Sequence, residues 1–213
     1  MALPAVRLTE PRLPVDVDAD ELLLARCRLG ERAALRALYD RYVHVVMAYA
    51  RRLGLPAHEV EDVAQEVFTA TYKELDRIEP RALSSWFFRL TSNRVHDRFR
   101  RRRIRETFAR WFGAAEPAES PDRPDQAALR RDAERHVGRI LERMTQKKRD
   151  VFALFELQGL SGDEIAEHLQ IPVDTVWTRL HHARIEFAKV GRSLDVLEET
   201  RSQARSRNGE ASP

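Results

Sequence analysis

The sequence predicts an all-α protein of two small helical domains joined by a flexible linker, the second domain containing a helix-turn-helix. Three observations predict it. Apolar residues recur at three- and four-residue spacing in almost every segment between the Gly and Pro breakers, and no convincing run alternates apolar with polar residues as a half-buried strand does. From Gly113 to Asp125 the composition shifts to Ala, Ser, Glu and Asp around Pro117, Pro121 and Pro124, as a linker's does. Beyond it, two short helical patterns meet across a break at Gln170 to Pro172.

Taken in order, residues 1–19 carry Pro4, Pro11 and Pro14 among several acids. They lack the basic-then-apolar order of a secretory signal and are expected to be a disordered extension. The first domain is assigned to residues 20–112. It opens with a short helix from about Asp20 to Leu29, ended by Gly30. A second helix, about Glu31 to Leu53, lines up Leu35, Leu38, Tyr42, Val45, Tyr49 and Leu53 and stops at Gly54 and Pro56. The third, about Ala57 to Leu75, turns Val60, Val63, Val67, Thr71 and Leu75 inward. Its other face carries Glu59, Glu61, Asp62, Gln65, Glu66 and Lys73. A loop from Asp76 to Arg81 follows. A fourth helix then starts near Ser84, passes Trp86, Phe87, Leu90 and Val95, and finishes in the basic run Arg98 to Arg105.

After the linker at 113–125, the second domain is assigned to residues 126–192. Helices are expected at about Gln126 to Arg143, Lys147 to Leu157, Ser161 to Leu169 and Val173 to Val190. Ser161 with Glu164 three residues on has the form of a capping box. Ala166 stands where two crossing helices need a small side chain. The last helix keeps Val173, Val176, Leu180, Ala183, Phe187 and Val190 on one stripe. Residues 193–213 are polar and expected to be disordered.

Several function classes fall away. No apolar run approaches the ~18 residues of a membrane span, so no membrane insertion is expected and a cytoplasmic location follows as the default. Cys27 is the single cysteine, which leaves no internal disulfide and no cysteine-rich metal site. His58 and Glu59 lack the second histidine of a zincin motif, and no glycine loop for phosphate is present. His181 and His182 are adjacent and cannot face one metal from one side of a helix. The expectation is no catalytic residue, no metal and no cofactor.

Charge position is more telling than charge total. Lys and Arg number 37 against 34 Asp and Glu, a formal excess of only +3. Yet Arg98, Arg100, Arg101, Arg102, Arg103 and Arg105 crowd the end of one helix whose start holds Trp86, Phe87 and Phe88. Aromatic faces stack on unpaired bases, and arginines neutralise phosphates. A helix joining the two suits a junction between duplex and opened strand. The bland alternative keeps Trp86, Phe87 and Leu90 as core and the arginines as a solvated helix end.

In the last helix, Val176 and Leu180 point inward. Asp174, Thr175, Trp177, Thr178, Arg179, His181, His182 and Arg184 are left outside, as on a recognition helix in a major groove. Arg179 is the candidate for a bidentate contact with guanine. The alternative is an ordinary helical hairpin with a polar face. The acidic face of the third helix is either a solvated surface or a dock for a protein partner.

At this level of detail a family resemblance emerges. DVAQEVFTATYKELDRI (Asp62 to Ile78) with SSWFFRLTSNRVHDRFRRRR (Ser84 to Arg103) resembles region 2 of sigma-70-type factors. GLSGDEIAEHLQIPVDTVWTRLHHAR (Gly159 to Arg184) resembles their region 4. Two such regions and a short linker resemble the compact extracytoplasmic-function group, over about Glu21 to Val190. The resemblance implies that Asp62, Gln65, Glu66 and Phe68 dock on core RNA polymerase. It implies that Trp86, Asn93, Asp97, Arg98, Arg100, Arg101, Arg102 and Arg103 serve recognition and melting of the −10 element. Thr175, Trp177, Thr178, Arg179, His181 and Arg184 would read the −35 element. Promoter DNA, core RNA polymerase and an anti-sigma factor are the implied partners. Met144–Thr145, Gln170 and Asp174 depart from the Leu-Pro, glycine and small residue common at those positions. Two rival readings remain from the residues alone: a stand-alone helix-turn-helix repressor or activator, and a helical adaptor that binds only proteins.

Overall fold

A computed structural model describes residues 17–111 and 126–209, and among them every regular element is a helix or helical turn. The extension at residues 1–16 and the linker assigned to 113–125 lie outside the described residues. The first half contains α1 (Val17–Arg28), α2 (Arg32–Arg52), α3 (Ala57–Lys73) and α4 (Leu83–Trp111). Two 3₁₀ turns, Leu75–Arg77 and Pro80–Ala82, fill the loop before α4. The second half contains α5 (Gln126–Arg143), α6 (Gln146–Phe152), α7 (Gly162–Leu169) and α8 (Val173–Gly209).

The stripes seen in the sequence face inward. Leu24, Leu38, Tyr42, Val46, Val63, Val67, Phe87 and Phe99 are buried together. Tyr42 stacks on Phe87 at 4.9 Å, and Phe68 lies 5.2 Å from the same ring. Each such ring contributes about 1.5–3 kcal/mol through burial. One buried polar pair supports them: the Tyr42 hydroxyl donates to Asp20 at 2.5 Å, and Arg41 lies 3.2 Å from that carboxylate. Burial, reinforced by Asp20, pushes the Tyr42 hydroxyl pKa well above its ordinary value. Arg28 ties α1 to the loop by donating to the carbonyls of Leu75 and Ile78, at 3.1 and 2.6 Å.

Two boundaries differ from expectation. α1 begins at Val17, three residues early, because buried Asp20 then lies inside the helix against Tyr42. α8 continues to Gly209, past both the end expected near Val190 and the disorder expected from residue 193. Leu194 gives a reason, since it is buried with Ile140, Leu141, Met144, Phe152 and Ala183 and extends the stripe one more turn. α6 carries on through Leu157 as a π turn over Ala153–Leu157.

The helix-turn-helix forms as the sequence indicates. The Ser161 hydroxyl accepts from the Glu164 amide at 3.2 Å, and the Glu164 carboxylate accepts from the Ser161 amide at 2.8 Å. Gln170 takes the left-handed conformation (φ 55°), the position where a glycine would be unstrained. Gly162 is another point where α7 meets α8 closely. A Cβ at Gly162 would fall 2.5 Å from Cζ2 of Trp177.

The halves pack against each other. Val151, Leu154, Ile165, Val176 and Leu180 belong to the same apolar cluster as Phe88 and Phe99. At the α2–α3 turn, Gly54 (φ 92°) crosses α5 so closely that a Cβ there would meet the Gly138 carbonyl oxygen at 3.0 Å.

Candidate nucleic-acid interface

The long helix α4 divides into a buried front and a charged end. Phe87, Phe88 and Phe99 are at most 1% exposed, so none is free to stack on a base. Trp86 is half-buried, its indole N–H 3.4 Å from the Thr71 hydroxyl and Arg89 over its ring. Phe108, 56% exposed, is a further aromatic on the basic part of the helix.

The arginines separate into two sets. Arg100, Arg101, Arg103 and Arg105 are exposed, with Arg100 3.6 Å from Asp97. Arg98 instead reaches Glu66 at 2.5 Å and Glu59 at 3.5 Å. Arg102 bonds Glu59 and, at 3.0 Å, Glu142. Burial opposes the Arg98 charge, but Glu66, Glu59 and Asp62 outweigh it and hold its pKa above the ordinary value. Arg98 and Arg102 were expected to serve DNA together with the others. Carboxylates already neutralise both here, and the like-charge argument for a polyanion applies to the exposed set.

Those same carboxylates reshape the acidic face of α3. Glu61, Asp62 and Gln65 remain exposed, whereas Glu66 is shared with Arg94 and Arg98. Phe68, expected at the polymerase dock, is 2% exposed and packs between Tyr39, Tyr72 and Phe87. It sits on the inward stripe with Val60, Val63, Val67 and Thr71, so it supports the helix and does not meet a partner from this surface.

On α8, Trp177, Thr178, His181, His182 and Arg184 are exposed, and Thr175 and Arg179 are half-buried. Trp177 leans on Gly162 and meets the Phe155 ring edge-on at 5.7 Å. Thr178 donates back to the Asp174 carbonyl at 2.9 Å. Arg184 is held by Glu156 at 2.7–2.8 Å and lies over Phe155. Trp177, Thr178 and Arg184 on this face are thus each held by contacts within the second half.

Ser92, Gln146, Asp150 and His168, which sequence reasoning did not single out, join α4 to the second half. Asn93, expected at the −10 element, accepts a hydrogen bond from the Gln146 amide at 2.8 Å. Ser92 donates to Asp150 at 2.6 Å and lies 3.1 Å from Gln146. Burial pushes the Asp150 carboxyl up to about 6, against the Ser92 bond and the charges of Arg149 and Arg179. His168 of α7 lies 3.3 Å from the Ser85 hydroxyl, against the rings of Phe88 and Tyr49. Burial, then Arg89, lowers its pKa to about 4.

The chain is similar to known proteins of one family. The family model for Sigma-70 region 2 matches residues 38–105, and that for Sigma-70, region 4 matches residues 135–186. The RNA polymerase sigma factor CnrH of Cupriavidus metallidurans is 32% identical over 187 residues, spanning 84% of this chain and 96% of the relative. The ECF RNA polymerase sigma-E factor of Escherichia coli is 30% identical over 173 residues, 78% of this chain and 90% of the relative. Among solved structures, CnrH in complex with the cytosolic domain of CnrY superposes with a TM-score of 0.56 at 26% identity. That match covers 83% of this chain and 99% of the other.

Proposed function

The chain belongs to the sigma-70 family of RNA polymerase sigma factors, in its extracytoplasmic-function group, and from that premise we propose how its two halves divide the work. It directs bacterial core RNA polymerase to promoters, recognising −10 and −35 elements and assisting DNA melting. The observation that carries this is the order of two matched regions along one chain, region 2 before region 4.

In our reading residues 20–112 form the polymerase-docking and −10 domain, and residues 126–192 form the −35 domain. Asp62, Gln65 and the outer side of Glu66 meet the polymerase, because they are exposed on α3 at the positions the family resemblance points to. Arg100, Arg101 and Arg103 meet the −10 backbone, with Trp86 and Asn93 at the bases. Arg98 and Arg102 join them only by exchanging carboxylate partners for phosphates. Thr175, Trp177, Thr178, Arg179, His181 and Arg184 form the −35 reading face. The helix dipole at the start of α8 favours approach of its first turn to a phosphate, and Asp174 there selects against one close position.

The chain supplies binding energy and strand separation and leaves phosphodiester chemistry to the polymerase. No described helix is long and apolar enough to cross a membrane, and the proposed site of action is the cytoplasm. CnrH is held with CnrY in its solved complex, and a regulatory anti-sigma partner is proposed for this chain also. Run-off transcription tests the assignment. Core polymerase with this protein should initiate at a subset of genomic fragments that core alone ignores. No complex with core and no new start site would refute it.

A further inference from the structure

Building on the sigma-factor reading, we infer that Phe155 and Glu156 are positioning residues for the −35 face and set its promoter discrimination. Neither is among the side chains proposed to meet DNA. Both come from the place where α6 widens into the π turn Ala153–Leu157, with the Gln158 amide donating to the Ala153 carbonyl at 3.1 Å. Leu154 stays fully buried there, and the two side chains after it both reach α8. Single π turns of this kind recur at functional sites.

Trp177 and Arg184 stand seven residues apart on α8, which puts them on one side of the helix and about 10 Å apart along its axis. Phe155 fills the gap. Its ring meets the Trp177 indole edge-on at 5.7 Å, and the Arg184 guanidinium lies over it at 5.3 Å. Glu156 fixes the guanidinium from the side: one carboxylate oxygen accepts from Nε at 2.8 Å and lies 2.7 Å from Nη2. The Nη1 amine is left for a phosphate or a base edge. Both readers stay about half exposed, Trp177 at 48% and the Arg184 side chain at 51%, so neither is withdrawn from a groove.

Immobilising one long side chain on binding weakens affinity by about two- to tenfold. Arg184 has already lost that freedom, between a carboxylate and a ring of its own domain. Glu156 also offsets the Arg184 charge, so unmatched duplex gains less from the cation through its phosphates alone. A matched −35 element meets groups already in place, whereas a mismatched one cannot recruit them by rearrangement. Discrimination rises on both counts.

The test uses reconstituted holoenzyme on a genomic promoter that it transcribes and on the same template with the −35 element scrambled. The readout is the ratio of the two run-off transcripts. Loss of folded protein lowers both alike and leaves the ratio unmoved. Glu156→Gln and Phe155→Leu should each lower the ratio about two- to tenfold, and Phe155→Tyr, which keeps the ring, should hold it at the wild-type value. The exchange of Glu156→Arg with Arg184→Glu rebuilds an ion pair, so urea unfolding should recover toward wild type. Its ratio should stay low, because the cation then stands on the π turn and not on α8. A wild-type ratio in either Glu156→Gln or Phe155→Leu, or a ratio restored by the exchange, would overturn the inference. Failure of the sigma-factor reading is distinguishable: wild-type protein then gives no promoter-dependent transcript with core polymerase, which overturns both.

Discussion

Gly162 lies directly beneath Trp177, with no room for a single carbon between them: a Cβ would approach the indole to 2.5 Å. The glycine at the start of α7 therefore leaves the space that the Trp177 indole fills. Gly162→Ala gains helix propensity but must displace the indole, and overpacking of this kind costs about 1–3 kcal/mol. Urea unfolding should show the loss. Transcription should fall most at promoters that depend on the −35 element.

Gln170 carries the opposite expectation. It pays for a left-handed turn that glycine adopts freely. Gln170→Gly should stabilise the turn by up to about 1 kcal/mol, net of the weak bond from Arg89. Thermal unfolding that shows no gain would mean the Arg89 contact matters more than the backbone.

Arg179 and Asp62 should separate the two proposed faces. Arg179→Ala should weaken initiation selectively where a −35 guanine is present, by about 1–3 kcal/mol of discrimination. Asp62→Ala combined with Glu66→Ala should weaken polymerase binding equally at every promoter. An Arg179 variant with unchanged promoter preference removes that residue from the reading set.

Arginines on α4 should also divide. Arg101→Ala, from the exposed set, should reduce the slope of log affinity against log salt by about 1 with little change in stability. Arg102→Ala should lower stability instead, because it leaves Glu59 and Glu142 facing each other without their shared cation. Salt titration and urea unfolding of the two variants check the contrast.

Acid should act on the junction between the halves in two opposing ways. Burial raises Asp150 to about 6 from an ordinary 3.8, while Arg149, Arg179 and Ser92 face it and pull the other way. The folded chain thus holds the extra proton. The carboxylate opposes folding in full above about pH 6, and this opposition fades as pH falls toward 3.8. Burial and Arg89 lower His168 to about 4 from 6.5, so the folded state needs a neutral ring and weakens as pH falls from 6.5 toward 4. The two nearly cancel across that range. His168→Gln should make the chain more stable in acid than at neutral pH and Asp150→Asn less stable, as read by urea unfolding between pH 7 and 4.5.

The helices were legible because their inward stripes are unbroken: Val60, Val63 and Val67 on α3, or Val176, Leu180 and Ala183 on α8, need no tertiary information. The capping box of Ser161 and Glu164 was legible for the same local reason. The partners of charged side chains were not. Nothing in a run of six arginines says that the third helix takes Arg98 and Arg102 through Glu59 and Glu66, because those pairings cross more than 30 residues. Phe68 was misjudged because the resemblance names a position without saying which way it faces. The packing of one half on the other has no periodic signature at all. It rests on isolated polar groups such as Gln146 and His168 and on two glycines that meet only in space.

Leu194 has a practical bearing on how this protein is divided for study. A fragment ending where the apolar stripe fades, at Val190, would discard a leucine enclosed by Ile140, Leu141 and Phe152. Removing it forfeits about 1.5–3 kcal/mol from a module small enough to feel the difference. Expression boundaries for the groove-reading piece belong at least a helical turn downstream of that leucine.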